Sequence, residues 1–391
     1  MSGPLTGIRI LDLSAVLSGP LAATWLCDQG AEVVKVESFE GDIIRRTTKG
    51  PNGLNANFIS SNRGKKAIAV DLKREEGIEI VKKMVPYFDV ILQNFRPGAV
   101  ERLGLDYYSI RTINPTVIYC SISGFGSSGP YAGKRIYDPI IQGISGLNAI
   151  QGGPDGSPKM IRTLMPDVVT ALTAAQAVTA ALWSRERTGE GQHITLAMID
   201  AMIALTWPDA MIGNMLLDGS EPGAPNRKDE LIFQTSDGYI TAVAISNSEW
   251  HGLCQALGHE EWLQNERLGT PARRTGRTAE TAELVAPILA EKPSKHWLDL
   301  LDAHGVPCGP VLNCAELPEN EQIIANELIE VLDHPGIGKI RQARPAARFS
   351  ATPARIQGFA PTLGEHSREI LRDLDYSEQD IDELFDNDIV H

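Results

Sequence analysis

The stretch from residue 8 to residue 37 constrains this chain more than any other. Ile8-Arg-Ile-Leu-Asp-Leu-Ser14 alternates with the period of a strand, and residues 19–29 (GPLAATWLCDQ) carry apolar side chains at helical spacing, with Gly30 just beyond. Ala31-Glu-Val-Val-Lys-Val-Glu37 then returns to a strand. A strand, a helix and a strand so close together predict a parallel pair joined by a right-handed crossover. The rhythm continues, with strands expected at 67–71, 90–93 and 116–122 and a helix over 75–85. Such a repeat implies an α/β fold built on an open sheet.

At 391 residues the chain exceeds the length at which one core stops growing, so two domains are expected. Residues 124–158 are dense in glycine and proline, as loops near sites tend to be. A long alanine-rich helix is expected over 167–187, closed by arginines in its last turn and Gly189, then a strand at 193–196 and an apolar helix over 199–217. The polar break Asp218-Gly-Ser-Glu-Pro-Gly-Ala-Pro-Asn-Arg227 opens a different region, where 233–245 reads as a hairpin turning at Asp237-Gly238. The expected division is a large α/β domain over 1–225, a smaller α+β domain over 226–325, and a segment over 326–391 that returns to the first.

Composition removes several functional classes. Apolar residues make up 42% and charged residues 22%, which is ordinary globular composition. No apolar run approaches the roughly 20 residues of a membrane span, and the first residues lack the features of a signal peptide, so a cytoplasmic protein without membrane partners is expected. Five cysteines without a C-x-x-C pair read as reduced thiols, and eight histidines without ligand spacing give no support to a metal. A net charge of −14 argues against nucleic acid. Residues 1–135 nevertheless hold 17 Lys and Arg against 13 Asp and Glu, a local excess that suits a small polyanion.

The usual phosphate fingerprints are missing. The first turn, Ser14-Ala-Val-Leu-Ser-Gly-Pro20, is not G-x-G-x-x-G, no G-x-x-x-x-G-K-[ST] occurs, and no G-x-S-x-G elbow is present. The helix start near Ser18 and Gly19 could still meet a phosphate through its free N–H groups. Basic residues in loops at strand ends, Arg63 to Lys66 and Arg96 to Arg102, are the candidate ligand cations, whereas Lys82 and Lys83 read as a solvated helix face. Asp167 follows Pro166 at the start of the long helix, the position of an N-cap. The helix dipole also favours its anion there, so capping and nucleophilic chemistry are compatible.

Together these stretches resemble the family III CoA-transferases, the group that includes formyl-CoA and carnitine CoA-transferases and the α-methylacyl-CoA racemases. The resemblance runs almost end to end. It rests on LDLSAVLSGPLAATWLCDQGAEVVKVE (11–37), NRGKKAIAVDLK (62–73), QNFRPGAVERLGLD (93–106), GFGSSGPYAG and YDPIIQGISGL (124–133 and 137–147), PDVVTALTAAQAVTAALWSRERTGEGQHI (166–194), TSDGYI (235–240), GVPCGPV (305–311) and APTLGEH (360–366). It implies a Rossmann-like parallel sheet, a smaller second domain, and two chains interlocked as a homodimer. It also implies Asp167 as nucleophile, and CoA contacts at Leu17, Ser18, Val70, Asp71, Leu72, Lys73, Asn94, Phe95, Arg96, Arg102, Arg135, Tyr137 and Asp138. Acyl-CoA and a carboxylic acid would be substrates, with no tightly held cofactor.

Two departures separate activities within that resemblance. Racemases carry a histidine where this chain has Tyr137 and a glutamate near Ser246, so the bases for α-proton exchange are absent here. Transfer is expected, with racemisation and non-catalytic acyl-CoA binding as the alternatives. The glycine-rich loop of formyl-CoA transferases, expected at 219–226, is replaced by Gly-Ser-Glu-Pro-Gly-Ala-Pro-Asn.

Overall fold

The computed structural model describes residues 2–152, 156–211, 214–217, 231–268, 270–271 and 278–391; the expected loop at 219–226 lies outside them. The chain divides into two compact units, one formed by Met1–Gln151, Pro158–Pro208 and Glu327–His391, the other by Gly152–Ser157 and Asp209–Asn326.

In the first unit, strands β1 (Arg9–Asp12), β2 (Glu32–Glu37), β3 (Lys66–Ala69), β4 (Val90–Gln93), β5 (Ile118–Ser123) and β6 (Gln192–Ala197) form one sheet in the order β3-β2-β1-β4-β5-β6. Every pairing in it is parallel, with Ile10 opposite both Val33 and Val90, so the expected α/β parallel sheet is present. Helices α1 (Ser18–Asp28), α2 (Ala56–Asn62), α3 (Glu75–Met84), α4 (Ala99–Arg102), α5 (Tyr107–Ile113), α6 (Asp138–Ile144), α7 (Leu147–Ile150) and α8 (Met165–Thr188) connect or cover the strands.

Because successive side chains on a strand point to opposite faces, the sheet feeds two cores. Ile10, Val33, Val90, Leu92 and Ile118 pack with Ala22, Ala23 and Leu26 of α1 and Ala171, Ala174, Ala175 and Val178 of α8. Leu11, Val34, Ile91 and Tyr119 turn the other way, onto Ile80, Val81 and Met84 of α3 and onto Ile370, Leu371, Ile381 and Val390 near the C-terminus. Each fully buried leucine or isoleucine here stabilises by roughly 1.5–3 kcal/mol. The last residues are tied to β3, where His391 N–H donates to the Ala69 carbonyl and Val390 bridges Val70.

The alanines of α8 explain its place, since small side chains let it lie close against α1. By length and apolar composition alone this helix is sufficient for a membrane span, which the sequence expectation overlooked, but 56% of that apolar window is buried inside the protein. The apolar helix expected to reach residue 217 ends at Ala210, two residues past Pro208, whose missing N–H weakens the ladder.

The second unit contains an antiparallel sheet of β7 (Ile232–Gln234), β8 (Tyr239–Ala242) and β9 (Cys308–Pro310). Its hairpin turns through Thr235 to Gly238, and Trp250, Leu253, Trp297 and Leu301 from the helices Asn247–Leu257 and Ser294–Ala303 fill its core.

Candidate active site

The strand order reverses between β1 and β4, and in open α/β sheets the crevice beyond such a switch point is where ligands bind. The turn that leaves β1 is fastened to the one that leaves β4: Asn94 Oδ1 accepts the Ala15 N–H at 2.8 Å and Asn94 Nδ2 donates to the Ala15 carbonyl at 2.7 Å. The start of α1 is pressed onto the same turn. A Cβ on Gly19 would lie 2.3 Å from Ser14 Cβ, so only glycine fits between them.

Asp167 reaches this crevice from α8. The helix begins at Met165, two residues before expectation, with Leu164 as an N-cap that makes no side-chain bond. Asp167 is therefore not the cap, which corrects the sequence expectation. Pro166 sits inside the first turn, where a missing N–H sacrifices no intrahelical bond, so the helix starts ahead of it. The Asp167 N–H, one of the orphan donors of that turn, is accepted by Asp138 Oδ2 at 3.2 Å. Asp138 Oδ1 in turn accepts Gln142 Nε2 at 2.7 Å.

The Asp167 carboxylate shares its cavity wall with Ser18 at the start of α1, whose hydroxyl and backbone N–H favour the charged form. It is only 8% exposed. Burial, and then the neighbouring Asp138 charge, push Asp167 up to about 6, against the two Ser18 hydrogen bonds. Burial raises Asp138 as well, opposed by Gln142 and the Asp167 N–H. A carboxylate so placed is anionic at neutral pH yet poorly solvated, which makes it more nucleophilic than a surface aspartate.

Both carboxylates line a cavity of about 280 Å³ with Val16, Ser18, Asn94, Phe95, Arg96, Lys134, Arg135 and Tyr137. A second cavity of about 330 Å³ lies at the ends of β1, β2 and β3, lined by Asp71, Leu72, Lys73, Phe39 and again Phe95. Most residues named from the sequence thus line one cavity or the other. Three do not. Val70 is fully buried and engaged through its backbone with Val390, Leu17 is the half-buried N-cap of α1, and Arg102 lies beside Gly98 at the end of α4.

The basic loop at 63–66 also differs from expectation. Arg63 is buried against Asp28 and Gln342, and Lys66 pairs with Glu369. Lys65 is wholly buried, and its three protons meet Asp12 at 2.8 Å, the Pro20 carbonyl at 2.8 Å and Asn62 at 3.0 Å. Arg63 and Lys65 are thus engaged inside the fold, where removing a partner from either charge would be strongly destabilising, while Lys66 pairs at the surface. Lys134 was missed, although its place beside Arg135 in a glycine-rich loop was the signal. Lys35 and Asp42 were missed too; a lysine between valines in a buried strand signals an interior ion pair. At the positions that separate racemases, Tyr137 is exposed at the N-cap of α6, and Ser246 caps the helix Asn247–Leu257 in a capping box with Glu249.

A Rossmann-type sheet with two buried, coupled carboxylates beside its switch point and cations around them defines an α/β enzyme for anionic substrates. Residues 5–367 match the model of CoA-transferase family III, and the chain belongs to that family. It is 34% identical, over 96% of its length and 97% of the relative's, to the succinate–glutarate CoA-transferase of Agrobacterium fabrum. It is 35% identical to the succinyl-CoA:glutarate CoA-transferase of Mus musculus, over 99% of this chain and 90% of that one. The crystal structure of a CAIB/BAIF family protein from Brucella suis superposes with a TM-score of 0.82 at 34% identity, covering 96% of this chain and all of that one.

Proposed function

We propose that the protein moves CoA from the CoA ester of a short dicarboxylic acid to a second dicarboxylate, with Asp167 as the covalent carrier. The observation that carries this reading is the Asp167 carboxylate itself, buried between Ser18 and Asp138 at the wall of a cation-lined cavity. Asp167 attacks the thioester carbonyl, the C–S bond breaks, and CoA leaves as thiolate from a mixed anhydride. The thiolate attacks the aspartyl carbonyl, the anhydride C–O bond breaks, and the donor acid departs as carboxylate. The acceptor carboxylate attacks the resulting aspartyl-CoA thioester and releases the thiolate again. Attack of that thiolate on the acceptor's acyl carbon then frees Asp167. No proton is gained or lost, and each step replaces one hard exchange by easier ones.

CoA extends from the cavity at Lys73 past Phe95, which lines both cavities, toward Asp167. The names of the Agrobacterium and mouse relatives support dicarboxylate substrates, and Lys134 supplies a cation for the distal carboxylate. A second copy of the chain covers the outer face of α8, where Leu172 and Trp183 stand exposed beside a groove of about 980 Å³ bounded by Arg341 to Ala347. An interlocked pair would sediment at twice the chain mass without dissociating on dilution, and a monomer mass refutes it.

The test is chemical. Incubation with succinyl-CoA, then hydroxylamine, should modify the peptide that holds Asp167, and glutarate should discharge the label. Turnover without any modification at Asp167 would sink the reading.

A further inference from the structure

Val16 adopts φ +70°. Among the described residues the other non-glycine positions in the left-handed region are Asn52, Glu327, Asp375 and Asp388, so Val16 is the one with a β-branched side chain. Branching at Cβ makes that conformation strained, and strain of this kind persists only where the surroundings enforce it.

The enforcement is visible. The Val16 N–H donates to both oxygens of Asp42, at 3.0 and 3.2 Å. Asp42 also accepts the Ile44 N–H at 3.1 Å and pairs with Lys35 Nζ at 3.1 Å, with both side chains 1% exposed. Lys35 Nζ donates to the Ser14 carbonyl at 2.7 Å, and the Asp42 N–H is held by Glu37 Oε2 at 2.8 Å. Burial opposes the Lys35 charge, yet Asp12, Asp42 and Glu37 together keep it above the usual lysine range. Two residues beyond Val16, Ser18 stands on the wall of the cavity that Val16 and Asp167 also line, and its hydroxyl and N–H favour the Asp167 anion.

We infer that Asp42 is a positioning residue for the reaction: its carboxylate holds Val16 in the left-handed region, and that turn sets Ser18 against Asp167. A hydrogen bond to an ionised acceptor is of the same order as the strain of one residue, so the Asp42 clamp, next to the Asn94 bonds that hold Ala15, can keep Val16 in this conformation. Without it Val16 relaxes to negative φ and carries Ser18 away from the carboxylate. The inference rests on the reading of Asp167 as carrier, which the labelling experiment above examines separately.

The test is a double-mutant cycle in Asp42→Ala and Val16→Gly, followed by kcat, the KM for succinyl-CoA and the rate of Asp167 labelling. Asp42→Ala should lower kcat and the labelling rate roughly ten- to hundred-fold, the scale of a misplaced catalytic group. Glycine takes up positive φ without a clamp, so in the Val16→Gly background the same substitution should cost less than about threefold. Equal losses in both backgrounds, or a loss confined to KM, overturn the inference. Should Asp42→Ala fail to fold, Asp42→Asn keeps one acceptor oxygen and must show a smaller loss that Val16→Gly again removes. Labelling of wild-type Asp167 with no coupling between positions 42 and 16 defeats this inference alone, whereas an active Asp167→Ala defeats the carrier reading itself.

Discussion

Asp138 caps the helix that carries Asp167: its Oδ2 accepts the Asp167 N–H at 3.2 Å, while its charge helps to push the Asp167 carboxyl up to about 6. One carboxylate thus both anchors and tunes the other.

Asp138→Asn removes the neighbouring charge and keeps an acceptor oxygen. An anion beside a carboxyl disfavours its ionisation, so the substitution should lower the Asp167 value. The acidic limb of kcat/KM against pH, expected near 6 in the wild type, should move toward the ordinary carboxylate range. A limb that stays in place or rises contradicts the pairing.

Asp167→Asn should abolish turnover and stabilise the fold. The folded carboxyl sits at about 6 against an ordinary 3.8, so ionisation is disfavoured in the folded state. The resulting penalty is absent below about pH 4, grows between 4 and 6, and is complete above 6, at about 2–3 kcal/mol. Urea unfolding at pH 7.5 should therefore show the variant more stable by that order, with the difference vanishing by pH 4. A destabilised variant at pH 7.5 contradicts the burial argument.

Gly19→Ala places a Cβ 2.3 Å from Ser14 Cβ. The start of α1 must shift, costing about 1–3 kcal/mol in stability and on the order of tenfold or more in kcat as Ser18 leaves Asp167. Thermal melts and steady-state kinetics on one preparation check both numbers. Wild-type kinetics would mean that Ser18 does not need its present position.

Lys65→Met leaves Asp12 buried without its partner at 2.8 Å. Stability should fall by about 3–5 kcal/mol in denaturant titration, and adding Asp12→Asn should restore much of it. Purely additive losses would show that the two residues are not a pair.

Much of the scaffold was legible in the chain. The alternating run at 8–14 and the short apolar runs at 31–37 and 90–93 became β1, β2 and β4, and the alanine-rich run became α8, because periodicity and run length report how a segment meets apolar neighbours. Asp167 stood out through Pro166 and the helix after it, and the basic loop around Arg135 through its glycines. The division of labour among polar residues was not legible. Asp167 read as a cap, Asp138 as a ligand contact, and Arg63 and Lys65 as free cations. In the folded chain Asp138 does the capping, and Arg63 and Lys65 are interior ion-pair partners. Val16 gave no local sign of strain, since a valine in a turn acquires positive φ only when Asp42 is brought to it. The sequence by itself determined which segments are strands and helices, a matter of short-range periodicity. Tertiary structure alone decided which charges are buried and beside what, because desolvation and charge pairing depend on segments that are distant in the chain and meet only after folding.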